Sequence, residues 1–281
     1  MTVEWQTRPS TLAWSNPVAW WWGLLALASG ANIAAWFWLY RQLGERTGGL
    51  GTTAGVMLLL CAAYVFGCAF RSFLPRADIQ RICLFDMWLS SVTVGRAVAT
   101  VAEVCFAAQW AIVLHQLGTM TGAGTAVAIA WVVVPLIVIA EGFSWYAVLT
   151  TNPLGSAIEN SIWAVAFFAI GVGLARLLPD LDGAARVALA VAIVGIAGYL
   201  AFLMTVDVPM YFGRWRAKLA CGGKLLGPLE GLRDASTRWT VTRDLAQWKD
   251  EIPWMSLYFS GAVWASLALC VFYALEIHLA R

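Results

Sequence analysis

GTAVAIAWVVVPLIVIAEGFSWYAVL, residues 124–149, carries one charged side chain, Glu141, in an otherwise apolar run. A helix needs about 20 apolar residues to cross a ~30 Å hydrocarbon core, and this stretch exceeds that length. Six further segments meet the same test, at 17–40, 51–70, 84–117, 156–178, 184–210 and 254–279. Gly, Pro and charged punctuation separates them, as at Asn152-Pro153 and Pro179-Asp180-Leu181-Asp182. The segment 84–117 is longer than one crossing requires, so its first turn, with Asp86 and Trp88, is expected to lie in the interface.

Composition agrees. Of the 281 residues, 61% are hydrophobic and 12% charged, against about 25% charged in a soluble domain. A chain so poor in charge cannot clothe a water-facing surface of this size. The net charge of +2 leaves no basic face for nucleic acid. The expected fold is an all-α polytopic membrane bundle of about seven transmembrane helices. It forms a single transmembrane domain over residues 1–281, with the lipid bilayer as its surroundings.

Lys and Arg orient the bundle. Seven spans place Arg8, Arg71, Arg76, Arg81 and the eight cations from Arg214 to Lys249 on one side. Arg41, Arg46, Arg176, Arg186 and Arg281 fall on the other. The positive-inside rule then puts the N-terminus in the cytoplasm and the C-terminus outside, in a bacterial inner (plasma) membrane. The first apolar run continues to full spanning length, which argues against a cleaved signal peptide.

The polar stretch 213–253 reads as a cytoplasmic loop with an amphipathic helix that lies along the interface or, as the second choice, folds beneath the bundle as a lid. Ser236 or Thr237 is the expected cap, and Val241, Leu245, Trp248 and Ile252 form its apolar stripe. Most of the 17 tryptophans suit an aromatic belt, while Trp131, Trp145, Trp163 and Trp264 sit deeper, either packing helices or lining a pocket. The six cysteines read as small packing residues.

Ionisable residues inside spans cost a few kcal/mol each and are functional candidates by default. Thr93, Arg96, Thr100 and Glu103 recur at i, i+3, i+7 and i+10, so they share one helical face. Glu141, Glu159, Asn160 and Asp207 approach from the following three spans, all from the inner half, joined by Asp86, Arg71 and Asn152. With Arg96 the only cation inside a span, three deep acids oppose one guanidinium. The surplus carboxylates must be protonated, hydrated or matched by a cationic ligand. Glu103, Glu141 and Glu159 are therefore the expected binding or proton-carrying acids, and Arg96 their counter-charge. Asp86, Asn160 and Asp207 are placed at the cavity mouth. A buried Arg-Glu pair can also simply hold helices together.

Other chemistries find less support. His115, His278 and Glu276 near the outer face offer at most a metal site or a bis-His haem pair, with no HxxxH, HExxH or Cys-x-x-Cys spacing behind them. The last span has no lysine for a retinal Schiff base, and neither a Walker A sequence nor GxSxG occurs. The leading expectation is binding or transport of a small polar or cationic species, with or without proton coupling. Two alternatives stand beside it. One is a membrane-embedded enzyme for a lipid or isoprenoid, with Asp86 or Asp207 as acid and Arg71, Arg214 and Arg216 holding phosphate. The other is a non-catalytic, haem- or pigment-associated subunit of a homo-oligomer or larger membrane complex.

Overall fold

The computed structural model describes residues 15–44 and 52–278. Arg8, Trp14, Arg46, Arg281 and the His278 side chain lie outside the described residues. Among the described residues, seven helical stretches are long and apolar enough to cross a membrane: Pro17–Leu43, Thr53–Phe73, Val92–Thr121, Gly124–Thr150, Pro153–Asp180, Gly183–Ala220 and Ile252–Ile277. The chain is an all-α integral membrane bundle.

In chain order, α1 (Pro17–Gly44), α2 (Thr53–Phe73), α3 (Val92–Thr121), α4 (Gly124–Thr150) and α5 (Pro153–Leu177) are continuous. The sixth span is composite: α6 (Gly183–Phe202) runs through a π-helical turn at Leu203–Asp207 into α7 (Val208–Ala220). The polar segment after it holds α8 (Pro228–Thr237) and α9 (Leu245–Trp248). The seventh span combines α10 (Ile252–Ser256), a π segment at Leu257–Ala262, α11 (Val263–Phe272) and a second π segment to His278.

Local chemistry fixes these boundaries. The Thr52 side chain accepts the Gly55 N–H at 3.1 Å and caps α2. Asn152 caps α5 by accepting from Leu154 N–H, with Pro153 at the first helical position, where its missing donor costs nothing. α3 ends at Gly122, whose φ of 71° suits a residue lacking Cβ. Small residues let helices approach: a Cβ on Gly67 would lie 2.7 Å from Ala102 Cβ, and one on Gly155 would lie 2.8 Å from Ala147 Cβ.

The residues beyond the basic ends of the spans form one cap. β1 (Arg76–Ala77) and β2 (Ile82–Cys83) make a short antiparallel hairpin, and β3 (Thr240–Val241) pairs with β2 in parallel. Arg81 binds this cap to the bundle: Nε donates to Asp234 of α8 at 2.8 Å and Nη2 to Val148 O of α4 at 2.8 Å. Segments 15–16, 74–91, 151 and 221–251 thus meet at one end. Asn16 Nδ2 donates to Arg243 O, and Leu226 N–H to Thr150 O.

Two expectations need correction. The interfacial helix over 236–252 does not form. α8 stops at Thr237, and the N–H groups of Thr240 and Thr242 donate instead to Arg81 O and Cys83 O. A two-residue strand therefore interrupts the expected stripe. Trp248 is fully buried against Trp21, whereas Leu245 is exposed. The third span begins at Val92 rather than 84, because residues 84–91 are cap, with one 3-10 turn at Trp88–Ser90.

Candidate functional site: an Arg-centred carboxylate cluster in an intramembrane cavity

Arg96 lies four residues into α3, about 6 Å along the axis from its start. Its Nη2 is 2.9 Å from Glu141 Oε2 and 2.9 Å from Glu103 Oε2, while Nη1 is 3.7 Å from Glu159 Oε1. Three helices thus deliver three carboxylates to one guanidinium. Thr100, one turn beyond Arg96, donates its hydroxyl to Glu141 Oε2 at 2.5 Å, and Trp145 Nε1 donates to Thr100 Oγ1 at 3.0 Å. Helical periodicity explains the face: Arg96, Thr100 and Glu103 stack on one side of α3, opposite Glu141 on α4. Thr93 lies on the same face, but its hydroxyl pairs with Ser236 of α8 at 2.9 Å.

A second ionic knot lies between this cluster and the cap. Arg76 Nε donates to Asp78 at 3.1 Å, and Nη1 donates to Leu89 O and Ser91 O at 3.3 and 3.0 Å. Arg71 reaches Asp78 at 3.4 Å and lies over the rings of Trp254 and Phe259. Burial pulls the Arg76 guanidinium down to about 10, still charged at neutral pH. Burial pushes the Asp78 carboxyl up, but Arg71 and Arg76 outweigh it and hold the group below the usual carboxylate range. Gly95 makes room for this arrangement, since a Cβ there would fall 0.7 Å from Arg76 Nη2.

A cavity of about 800 Å³ opens beside the cluster. Arg96, Glu103, Glu159, Asn160, Arg71 and Asp207 contribute to its polar part. The rest of the wall is aromatic and aliphatic, including Phe106, Trp110, Trp163, Phe167, Tyr199 and Phe272. Asp207 accepts from Tyr258 at 2.5 Å through Oδ2, while its buried Oδ1 has no hydrogen-bond partner among the described residues. Glu251, also on the wall, is fully engaged by Gln80, Arg214 and Trp254.

Of the residues singled out in the sequence, Arg96, Glu103, Glu141 and Glu159 meet. Asn160 and Asp207 line the same cavity, whereas Glu141 lies behind its wall. Asp86 does not join them. It is exposed on the cap and accepts from Trp239 Nε1 at 3.0 Å. Trp163 lines the cavity, Trp145 supports Thr100, and Trp131 and Trp264 are exposed on the outside of the bundle.

Arg96 is not the only buried cation of the spans. α2 extends to Phe73, so Arg71 belongs to it and is buried. The set expected to grip a lipid phosphate is not assembled: Arg71 faces Asp78, Arg214 faces Glu251 and Asp250, and Arg216 is exposed. His115 packs edge-on against Trp131, 5.7 Å between centroids. Asp78, Glu251 and Tyr258 carried no signal in the sequence, being cap or belt residues until the fold closes over them.

One carboxylate oxygen from each of Glu103, Glu141 and Glu159 lies within 4.8 Å of the others, a spacing able to hold a hard cation. Arg96 Nη2 already stands 2.9 Å from two of them, so a metal ion would have to displace a fixed guanidinium. No family model, curated protein or solved structure matches the chain.

Proposed function

We propose that this membrane protein binds a small cationic or polar species at the cavity-facing carboxylates and moves it in exchange with protons. One observation carries the reading: a single guanidinium, Arg96, faces three carboxylates from three helices at the wall of an 800 Å³ cavity. An uncompensated buried charge is very costly, so the surplus is met by a bound cation or by protons, which makes the two exchangeable. Glu103 and Glu159 contact the ligand, Arg96 fixes their positions, and Thr100 and Trp145 hold Glu141 as the constant partner of Arg96. The excess of Lys and Arg at the capped end supports a cytoplasmic N-terminus and a cavity mouth on that side, in a bacterial inner membrane.

The test uses the full chain in liposomes with an entrapped pH dye and imposed gradients of methylammonium or choline. A saturable, cation-driven pH change, lost in Glu159→Gln, is the expected result. Absence of any cation-driven change with correctly folded protein, or an unchanged response in Glu159→Gln, refutes the proposal.

A further inference from the structure

Volume and wall chemistry narrow the ligand beyond a small cation. A water's share of liquid volume is about 30 Å³, so a small ammonium ion with a few waters fills only a minor part of 800 Å³. The remaining wall, Phe106, Trp110, Phe167 and the α6 and α11 residues, is apolar. Such a surface offers water too few partners and is best covered by hydrocarbon.

The cavity also reaches the side of the bundle. Val191, Gly195 and Gly198 of α6, and Leu257, Gly261 and Ala268 of the seventh span, line it and are themselves exposed. On α6 that opening runs for about 10 Å along the axis, within the apolar part of two spans. A lateral opening there faces the lipid phase rather than water. At its lower edge the two spans are tied by the Tyr258–Asp207 hydrogen bond, and each contributes a π-helical turn at that level. π turns inside α-helices frequently occur at functional sites.

We propose that the cavity takes up a single-chain cationic amphiphile, a long-chain amine, from the bilayer through the opening between α6 and the seventh span. The ammonium head sits among Glu103, Glu159 and Asp207, and the chain lies along the aromatic wall. This rests on the cation-binding reading above and adds the hydrocarbon tail and the lateral route. An ammonium has three donors and no acceptor, which matches a set of carboxylate acceptors. Asp207 is 2% exposed and its Oδ1 is unpartnered among the described residues, so it marks a place where a donor is wanted. Phe106, Trp110 and Phe167 pack against one another, edge-to-face at Trp110 and tilted between the two phenylalanines, with centroids 6.1–6.3 Å apart, and form an apolar surface suited to a methylene chain.

The experiment measures saturable binding by native mass spectrometry of the full chain released from phosphatidylcholine nanodiscs. The probes are dodecylamine, dodecanol, dodecanoate and methylamine. Dodecylamine is expected to bind at least tenfold more tightly than each of the others, and at least tenfold more weakly to Glu159→Gln or Asp207→Asn. Gly195→Leu, where a Cβ meets nothing within 4 Å, is expected to slow dodecylamine uptake severalfold while leaving the fold intact. Methylamine binding as tightly as dodecylamine, with Glu159→Gln weakening both, overturns the amphiphile and leaves the cation reading standing. Dodecanol binding as tightly as dodecylamine, with no effect of Glu159→Gln, overturns both. Unchanged uptake in Gly195→Leu overturns the lateral route.

Discussion

Arg96 shows how a single side chain can decide whether a polar cluster is tolerable in hydrocarbon. Removing it leaves Glu103, Glu141 and Glu159 facing one another without a counter-charge. Breaking a buried ion pair by deleting one partner costs about 3–5 kcal/mol. Arg96→Gln is therefore expected to lower stability by about that amount, read by thermal unfolding in detergent. Glu103→Gln is expected to cost less than half as much, because Arg96 keeps two carboxylates and the Glu103 side chain is a quarter exposed. Equal losses from the two variants contradict the shared-guanidinium geometry. At Gly95 the constraint is steric. Gly95→Ala puts a methyl where Arg76 Nη2 sits, an overpacking expected to cost about 1–3 kcal/mol. A double-mutant cycle with Arg76→Ala checks it, since the two changes share one space and should fall well short of additive.

At the level of elements, the hairpin cap and the α3 face differ in how far the sequence disclosed them. The Thr93, Arg96, Thr100 and Glu103 face was legible because a 3.6-residue period alone determines which side chains share a side. Glu141 was legible as the one charge in a long apolar run. The strand Thr240–Val241 was not, because its partners at Ile82–Cys83 lie far away in the chain and outweigh a helical stripe only once the fold exists. Arg71 was misplaced for a related reason: α2 runs a few residues past its last strongly apolar stretch, which turns an apparent loop cation into a buried one.

The cap also has a pH signature. Asp78 is held below its ordinary range, so its contribution is fully present above about 3.9, the unfolded value, and is lost as pH falls through the lower folded value. Amide exchange of residues 76–83 is expected to stay slow at pH 5 and quicken only well below pH 4. In Asp78→Asn it is expected to be faster at pH 5 and to lose this acid dependence.

For the whole molecule, seven apolar helices were legible from length and hydropathy, which need no tertiary information. The polar part of the cavity was legible from the intramembrane acids, but its apolar wall along α6 and the seventh span was not, because it arises between two elements and no single segment records it. Seven spans put the start of α1 at Pro17 and the end of the last span at Ile277 on opposite faces of the bundle, and the proposed orientation makes the cap cytoplasmic. Cys221 is an exposed free cysteine on that cap, whereas Cys61, Cys68, Cys83 and Cys270 are buried. A membrane-impermeant maleimide is expected to label Cys221 in inverted vesicles and to leave intact cells unlabelled. Labelling in intact cells reverses the orientation.

A cationic amphiphile in the space beside Arg96 would be directly visible. The most direct measurement is a cryo-EM map of the full chain in nanodiscs supplied with dodecylamine. Elongated density is expected to run from Glu103 and Glu159 along Phe106 and Trp110, and to be missing from a matched map of Glu159→Gln. A cavity that holds only ordered water in both maps, or density in the wild type that stays away from the carboxylates, contradicts it.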